Sequence, residues 1–402
     1  MNGDGVLIVG GGLAGLRCAQ TLRKKGYDGP VRMVCAEDSA PYDRPPLSKS
    51  FLTEPAGSVD VSLKPDSWYR ESEIELLLGR SATQLKADER RVILDDGTAV
   101  PYGNLLIACG SGARSLTALE GFENVHFLRD IGDARRLGAE LGTGGRLAVI
   151  GSGFIGQEVA SSALRLGDEV TIVEAMSNPL EHILGNEVGR RIGELHTERG
   201  ISLLTDAKVE SARGGAHVRE LRLADGRRVP CETVVVGVGV TPATGWLQGS
   251  GLELDGIITD AAARTCIPGV FAAGDVTRSY DPRTGLHSRS EHWGSAVQQG
   301  RAAALSMLGE SSPPPGLPSF WSDQHGSRLQ YVGHAELADR VEILTDGDDP
   351  ALQASYLRGD RLVGALAIDA PRVIAAAART IELSACTTDD AERNNHEVQS
   401  NS

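Results

Sequence analysis

The chain has 402 residues and a net charge of −14, with 40 Lys and Arg residues against 54 Asp and Glu residues. Hydrophobic residues make up 41% and charged residues 23%, so the composition is that of a globular protein and excludes a disordered or fibrous chain. The negative charge disfavours nucleic acids and anionic membranes as partners. No apolar run approaches the length of a membrane span, and no basic segment precedes an apolar run at the N-terminus, so we expect a cytoplasmic protein.

The first predicted element is a βαβ unit that runs from VLIVGGGLAGLRCAQTLRKKG to VRMVCAE. Its glycine loop, Gly10-x-Gly12-x-x-Gly15, follows a strand and begins a helix. The first glycine allows the tight turn, the second lets a pyrophosphate approach the backbone, and the third lets the helix lie close to the strand. Glu37 ends the second strand, where a carboxylate can bind ribose hydroxyls. The unit therefore predicts a dinucleotide site.

The same pattern returns about 140 residues later, from LAVIGSGFIGQEVASSALRLG to VTIVEA. Gly151-x-Gly153-x-x-Gly156 is the second glycine loop, and Glu174 ends the second strand. A carboxylate at this place binds the 2′-hydroxyl of NADH and repels the 2′-phosphate of NADPH, so we expect NADH. Two such sites in one chain indicate a bound flavin nucleotide and a nicotinamide nucleotide that exchange a hydride.

The segments around the repeats complete a predicted architecture. ERRVILDDGTAVPYGNLLIACGSGA and VRELRLADGRRVPCETVVVGVGVTP each predict a hairpin followed by a buried strand. GVFAAGDV predicts a strand that leads to Asp275, whose carboxylate could bind a ribityl hydroxyl, and SSPPPGLP predicts a linker. Further strands and an Ala-rich helix, PRVIAAAARTIEL, precede a polar tail.

These elements predict an α/β fold with two Rossmann-like dinucleotide-binding domains, for FAD and NAD, and a C-terminal α+β domain. The predicted ranges are 1–112 and 243–318 for the FAD domain, 113–242 for the NAD domain, 319–386 for the C-terminal domain and 387–402 for a disordered tail.

Four stretches make the chain similar to a known family. They are PYDRPPLSKSFL at 41–52, the GDV that ends the 269–276 strand, RSEHWGSAVQQGRAAA at 289–304 and SFWSDQHGSRLQYVGHAE at 319–336. Together with the glycine loops, they resemble the FAD-dependent ferredoxin reductases of the putidaredoxin reductase and biphenyl dioxygenase reductase type. The resemblance covers about residues 5–385 and implies FAD and NADH as cofactors.

The resemblance also implies the roles of individual residues. FAD is expected to be held by the first glycine loop and by a set of further residues: Glu37, Arg44, Pro45, Lys49, Asp275, His292 and Trp293. NADH is expected at the second glycine loop, together with Phe154, Ile155, Glu158 and Glu174.

Lys49 and Glu158 are the predicted catalytic residues. A lysine beside a flavin stabilises the negative charge of the reduced ring. Glu158, expected in the first turn of its helix, could approach the nicotinamide ribose and pair with Lys49. No metal site is predicted, because the six cysteines are scattered and lack the spacing of a zinc site.

The expected function is that of a reductase that takes a hydride from NADH and passes single electrons to a 2Fe–2S ferredoxin, which supplies an oxygenase. The resemblance places Trp321 in the third domain, near the ferredoxin. An acidic ferredoxin would need a basic face on this acidic chain, and four arginines are candidates for it: Arg278, Arg283, Arg289 and Arg328.

Two alternatives stay open at this point. One is an NADH-responsive interaction protein like the relatives of apoptosis-inducing factor, and the other is a reductase for rubredoxin. Disulfide reductases with the same double repeat carry a CxxxxC motif after the first glycine loop. This chain has Pro46, Leu47, Ser48 and Lys49 in that region, which excludes dithiol chemistry there.

Overall fold

The structure, a computed structural model, describes residues 4–344 and 352–384. Contacts divide the chain into two units. Unit one holds the described parts of Met1–Arg44, Asp60–Gly112 and Val240–Gly316, and unit two those of Pro45–Val59, Ala113–Gly239 and Leu317–Ser402. The predicted tail at 387–402 lies outside the described residues.

The helices and strands follow in chain order. The helices are α1 (Leu13–Lys24), α2 (Ser50–Thr53), α3 (Asp66–Glu71), α4 (Ile131–Gly138), α5 (Phe154–Leu166), α6 (Glu181–Leu184), α7 (Asn186–Glu198), α8 (Trp293–Met307) and α9 (371–384). The strands are β1 (Val6–Val9), β2 (Val31–Cys35), β3 (Ile74–Leu78), β4 (Ala82–Lys86), β5 (Arg91–Leu94), β6 (Ala99–Pro101), β7 (Asn104–Ile107), β8 (Ser111–Ala113), β9 (Val125–His126), β10 (Arg146–Ile150), β11 (Glu169–Val173), β12 (Ser202–Leu204), β13 (Val209–Gly214), β14 (Val218–Leu223), β15 (Arg228–Pro230), β16 (Thr233–Val236), β17 (Val240–Pro242), β18 (Ile257–Thr259), β19 (Val270–Ala272), β20 (Thr277–Asp281), β21 (Leu286–Ser288), β22 (Ser319–Gln324), β23 (Ser327–Gly333), β24 (Arg340–Leu344), β25 (Gln353–Arg358) and β26 (Arg361–Ile368). Among these helices none is both long and apolar enough to cross a membrane.

Unit one is built on a parallel sheet of order β19-β7-β1-β2-β3. All four residues of β1 are buried, because the sheet is covered on both faces. Val6 and Ile8 face a core that includes α1 and α8, while Leu7 and Val9 face the core formed with the antiparallel β4–β6 sheet. The continuous apolar run of the sequence is thus explained by burial of alternate residues on opposite faces.

Unit two contains a second parallel sheet, of order β12-β11-β10-β16-β9, and the antiparallel sheet β13-β14-β15. Its C-terminal part is an antiparallel sheet of order β22-β23-β26-β25-β24. Apolar residues of α6 and α7, such as Leu184 and Ile192, share one core with Phe320 and Leu366 of that sheet. The predicted fold class and both predicted hairpins are confirmed.

The two units differ from the predicted domains in two places, residues 45–59 and the C-terminal sheet. Residues 45–59 belong to unit two, whereas the sequence prediction placed them with the first glycine loop. Within unit two this segment is held by α5, where the Ser162 hydroxyl donates to the Ser48 carbonyl at 2.7 Å. The C-terminal sheet belongs to the same unit, because it shares its core with α6 and α7. The predicted boundaries at 112 and 318 lie within two residues of unit boundaries.

The crossing of α1 and α8 in unit one depends on Gly300. A Cβ atom at this position would lie 2.2 Å from the Ala14 carbonyl oxygen, which belongs to a helix backbone that cannot yield. We expect Gly300→Ala to destabilise the protein by about 2 kcal/mol through overpacking, in spite of the better helix propensity of alanine. Arg301→Ala, on the exposed face of the same helix, is the control and should change the urea midpoint little. Equal midpoints for the two variants would contradict the close contact.

Candidate functional site

The first glycine loop lies between β1 and α1, where the sequence predicts it. Gly10 has φ +128°, and a Cβ atom on Gly15 would lie 2.4 Å from the Gly10 carbonyl oxygen, so both positions require glycine. A Cβ atom on Gly12, in contrast, would meet no protein atom within 4 Å. This open space lies at the start of α1, where the first backbone N–H groups lack acceptors within the helix. The loop therefore fits a pyrophosphate group.

Glu37 lies two residues beyond β2 and is held from two sides. The Tyr42 hydroxyl donates to its Oε2 at 2.5 Å, and Arg44 donates to its Oε1 at 2.8 Å. The Arg44 guanidinium also lies over the Tyr42 ring. The predicted cofactor residues Glu37 and Arg44 are thus in contact, and Tyr42, which the prediction missed, fixes the orientation of the carboxylate.

Asp275 lies in the turn between β19 and β20. The Ser111 hydroxyl donates to its Oδ2 at 3.1 Å, and the preceding Gly274 N–H donates to the Gln299 side chain at 2.7 Å. His292, which caps α8, is close enough for the Asp275 charge to oppose the lowering of its pKa by burial. The structure thus brings together Asp275 and His292, both predicted to bind FAD.

Trp293 is the first residue of α8, and its indole N–H donates to Asp43 at 2.9 Å. The predicted FAD residues are consequently divided between the units. Unit one contains the glycine loop, Glu37, Arg44, Asp275, His292 and Trp293, and unit two contains Pro45 and Lys49. Trp321 is half-buried on β22 of unit two.

The second glycine loop, between β10 and α5, repeats the first. Gly151 has φ +93°, and a Cβ atom on Gly156 would lie 2.2 Å from the Gly151 carbonyl oxygen. A Cβ atom on Gly153 would meet only the Gly237 carbonyl oxygen, at 3.9 Å. Ile155, at the start of α5, is 39% exposed although it is apolar. The loop has space for a second pyrophosphate.

Glu174 follows β11 directly, and both carboxylate oxygens are oriented by the protein. Ser152, in the glycine loop, donates to Oε2 with its backbone N–H at 2.7 Å and its hydroxyl at 2.6 Å. The Met176 N–H donates to Oε1 at 2.8 Å. These bonds hold the carboxylate beside the glycine loop, as ribose recognition requires.

Glu158 lies on α5, 5% exposed, and has three polar partners, two hydrogen bonds and one ion pair. Ser48 donates to Oε2 at 2.5 Å, Lys49 forms an ion pair with the same oxygen at 2.7 Å, and Ser322 of β22 donates to Oε1 at 2.6 Å. Lys49 also donates to the Pro45 carbonyl at 3.0 Å. The carboxylate is therefore the point at which α5, residues 45–49 and the C-terminal sheet are joined.

The expected position of Glu158 in the first turn of its helix is wrong. Because α5 begins at Phe154, Glu158 is the fifth helical residue and lies in the second turn, where it faces the interior. The contact with Lys49 is present as predicted. Ser48 and Ser322 were missed by the sequence analysis; Ser322 is 0% exposed and lies on the same face of β22 as buried Phe320.

Phe154, predicted at the NADH site, begins α5 and contacts the Phe320 ring at 4.6 Å between centroids.

Most arginines of the predicted basic face have acidic neighbours. Arg289 pairs with Glu291 at 2.9 Å, and Arg328 pairs with Asp323 at 2.6 Å. Arg283 lies 4.0 Å from Asp281. Three of the four candidate arginines thus have a carboxylate within salt-bridge distance.

Two histidines that the sequence analysis missed lie in contact in unit two. His196 Nδ1 lies 2.9 Å from His325 Nε2, and His196 is 1% exposed. Burial is the main reason that the pKa of His196 is lowered to about 3 and that of His325 to about 4. The Arg199 charge contributes at both histidines, and His325 contributes at His196. Both rings are therefore neutral at neutral pH. No local sequence pattern reveals the pair, because its members are far apart in the chain.

The residues present fit two dinucleotides, since each unit has a glycine loop with open space above it and an oriented carboxylate after the second strand. Among the described residues, five cysteines are free thiols: Cys18, Cys35, Cys109, Cys231 and Cys266. Cys35 is buried beneath the first glycine loop, and burial raises its pKa to about 12. Within residues 4–344 and 352–384, no group of three or more His, Cys, Asp or Glu side chains could hold a metal ion.

Comparisons with known proteins agree with this geometry. Residues 4–300 match the pyridine nucleotide-disulphide oxidoreductase family, and residues 319–398 match the reductase C-terminal family. The chain is 37% identical to the ferredoxin–NAD(+) reductase component of an anthranilate 1,2-dioxygenase system from Burkholderia cepacia, over 95% of each chain. It is 33% identical to human apoptosis-inducing factor 3, over 94% of this chain and 62% of that one.

Among solved structures, the chain is similar to the covalent complex of putidaredoxin reductase with putidaredoxin. The TM-score is 0.90 and the identity 31%, over 94% of this chain and 93% of that chain.

The buried ion pair gives a prediction for stability. Glu158→Gln leaves the Lys49 ammonium without a counter-charge, so we expect a loss of about 3 kcal/mol in the free energy of unfolding. Adding Lys49→Met should restore much of that loss, because the unpaired charge is then gone. Removal of the exposed pair Arg190–Glu194 is the control and should cost below about 1 kcal/mol. Additive effects of the Lys49 and Glu158 substitutions in urea unfolding would contradict the coupling.

The histidine pair predicts sensitivity to acid. Because the folded pKa of each histidine lies below its unfolded value of about 6.5, the unfolded chain binds more protons and stability falls as the pH drops below 6.5. At pH 5.5, each histidine should lower the free energy of unfolding by about 1.4 kcal/mol relative to neutral pH. Urea midpoints measured from pH 7 to 4.5 should decline less steeply for His196→Gln and His325→Gln than for the parent. The exposed His287→Gln is the control, and identical slopes for all variants would contradict the burial effect.

Proposed function

Because the chain belongs to the pyridine nucleotide-disulphide oxidoreductase family and carries the reductase C-terminal domain, we propose that it is an NADH-dependent ferredoxin reductase. It is an oxidoreductase that uses FAD and NAD(H). The electron acceptor that we propose is a 2Fe–2S ferredoxin, which in turn supplies an oxygenase. The named partners of two relatives, a dioxygenase system and putidaredoxin, support this acceptor.

The observation that carries the proposal is the buried contact between Lys49 and Glu158. In the segment where disulfide reductases carry their cysteine pair, this chain has a lysine whose ammonium is fixed by a carboxylate 2.7 Å away. Without a dithiol to accept an electron pair, electrons have to leave to an external carrier. The free cysteines support a cytoplasmic protein, since a reducing compartment keeps thiols unpaired.

The cofactors divide between the two glycine loops. Residues of unit one, with Glu37, Arg44 and Asp275 as the polar contacts, would hold FAD, and the loop at Gly151–Gly156 with Glu174 would hold NADH. Bound FAD supplies the chemistry of accepting a hydride and releasing its two electrons one at a time. The chain itself contributes orientation and charge.

Each of the named side chains has a defined task in this proposal. Glu174, oriented by Ser152 and Met176, accepts hydrogen bonds from the adenosine ribose and repels a 2′-phosphate. Glu158 keeps Lys49 in one position through an ion pair of 2.7 Å. A lysine held in this way stabilises negative charge that develops near it during reduction.

A ferredoxin-coupled assay tests the proposal. The protein, loaded with FAD, should reduce cytochrome c through an added 2Fe–2S ferredoxin, with kcat/KM for NADH at least about tenfold above that for NADPH. Glu174→Ala should lower kcat/KM for NADH by about tenfold, because hydrogen bonds to the ribose are lost. The ratio of kcat/KM for NADH to that for NADPH should therefore fall.

The control is Glu169→Ala, which removes an exposed carboxylate at the first residue of β11. It should leave kcat/KM for NADH and kcat/KM for NADPH unchanged. Reduction of rubredoxin but not ferredoxin would reassign the acceptor. Slow turnover with a long-lived NADH complex would favour the interaction protein instead.

A further inference from the structure

A row of buried side chains in unit two connects the C-terminal sheet with the second glycine loop. His325 Nε2 lies 2.9 Å from His196 Nδ1, and His196 Nε2 lies 2.9 Å from Gln157 Oε1. The Gln157 amide nitrogen then donates to the Ser152 carbonyl at 2.6 Å. Gln157 is 0% and Ser152 1% exposed. The row thus ends inside the loop that we propose to bind the NADH pyrophosphate.

The direction of each hydrogen bond in this row is determined by the Ser152 carbonyl, at which the row ends. Only an N–H can donate to the Ser152 carbonyl, so the Gln157 amide oxygen faces His196 as an acceptor. His196 must therefore carry its proton on Nε2, and its Nδ1 accepts from His325 Nε2. All three hydrogen bonds point in one direction, toward the glycine loop, and each is matched as donor and acceptor.

The outer end of the row is fixed as well. His325 and Gly326 form the two-residue turn between β22 and β23, and both have positive φ, +54° and +80°. Positive φ is unfavourable for a residue with a side chain, and it is maintained where surrounding contacts enforce it. Here the His325 backbone N–H donates to the Ser161 hydroxyl on α5 at 2.7 Å. The turn therefore presents His325 to His196 in one position.

The inner end of the row extends to Glu174. Ser152, whose carbonyl is bound by Gln157, uses its own N–H and hydroxyl to hold Glu174 Oε2. A shift of Ser152 would therefore move both the peptide of the glycine loop and the carboxylate that we propose to bind the ribose.

We propose that His325, His196 and Gln157 are positioning residues for NADH, which hold Ser152 and through it Glu174 in the orientation that binds the adenosine half of the nucleotide. This inference rests on the proposed NADH site at the second glycine loop. The three residues do not touch the nucleotide in this account. They act by removing the freedom of a loop that would otherwise have to be ordered when NADH binds.

The test measures equilibrium binding of NADH by titration calorimetry, together with steady-state kinetics. Gln157→Leu should raise the Kd and the KM for NADH about tenfold, because the loop of the free protein is then less ordered. The kcat should change less than about twofold, because the complex saturated with NADH is intact. His325→Leu should act in the same direction. His325→Gln, which keeps a donor near the position of Nε2, should restore most of the affinity.

Coupling to Glu174 separates positioning from general destabilisation. In a Glu174→Ala background, Gln157→Leu should cause a smaller further loss of affinity than it causes in the parent, since the carboxylate is absent and only the glycine-loop peptide is left to be positioned. Asn124→Ala is the matched control. This substitution also removes a buried side chain of unit two, one that bonds the backbone of Val218 and Glu232, and it should lower stability without changing the Kd.

The outcomes separate the two proposals. If the parent protein does not bind NADH, the proposed function fails. If the parent binds NADH and both leucine variants bind it equally well, the inference is overturned while the function stands. The inference is also overturned if Asn124→Ala weakens binding as much as Gln157→Leu, or if His325→Gln fails to restore it. Should Gln157→Leu not fold, the two His325 variants decide the matter.

Discussion

The structure of unit two depends on how α5 buries two adjacent polar residues, Gln157 and Glu158. A buried amide and a buried carboxylate are tolerable only when their hydrogen-bonding atoms have partners. Glu158 finds them in Ser48, Lys49 and Ser322, and Gln157 finds them in Ser152 and His196. This requirement determines which segments must lie against α5, namely residues 45–49, α7 and the edge of the C-terminal sheet.

The same requirement links packing to function. Lys49 is held by the carboxylate of Glu158, and the glycine loop is held by the amide of Gln157. Two adjacent residues of one helix therefore fix both a cation and the backbone of the glycine loop where we propose that NADH binds. A scaffold of this kind lets the cofactors carry out the redox chemistry while the protein supplies positions and charges.

Much of the fold was readable from the sequence, because its signals are local. The apolar run of β1, the close approach of Gly15 to Gly10 and the Asp-Gly turn between β5 and β6 each act within a few residues. The partners of Glu158 are not local. Ser48 and Ser322 are brought to it by tertiary packing, as are His196 and His325 to Gln157, so neither periodicity nor spacing reveals them. Glu158 was expected in the first turn of its helix, whereas α5 begins at Phe154 and puts Glu158 in the second turn.

The central claim is that electrons from NADH pass to the flavin alone, with no thiol pair in between. An anaerobic titration of the FAD-loaded protein with NADH, followed by flavin absorbance and by thiol titration, tests it directly. The account predicts complete loss of the oxidised flavin spectrum at one equivalent of NADH and no new thiols. A requirement for two equivalents, together with the appearance of two new thiols, would contradict it.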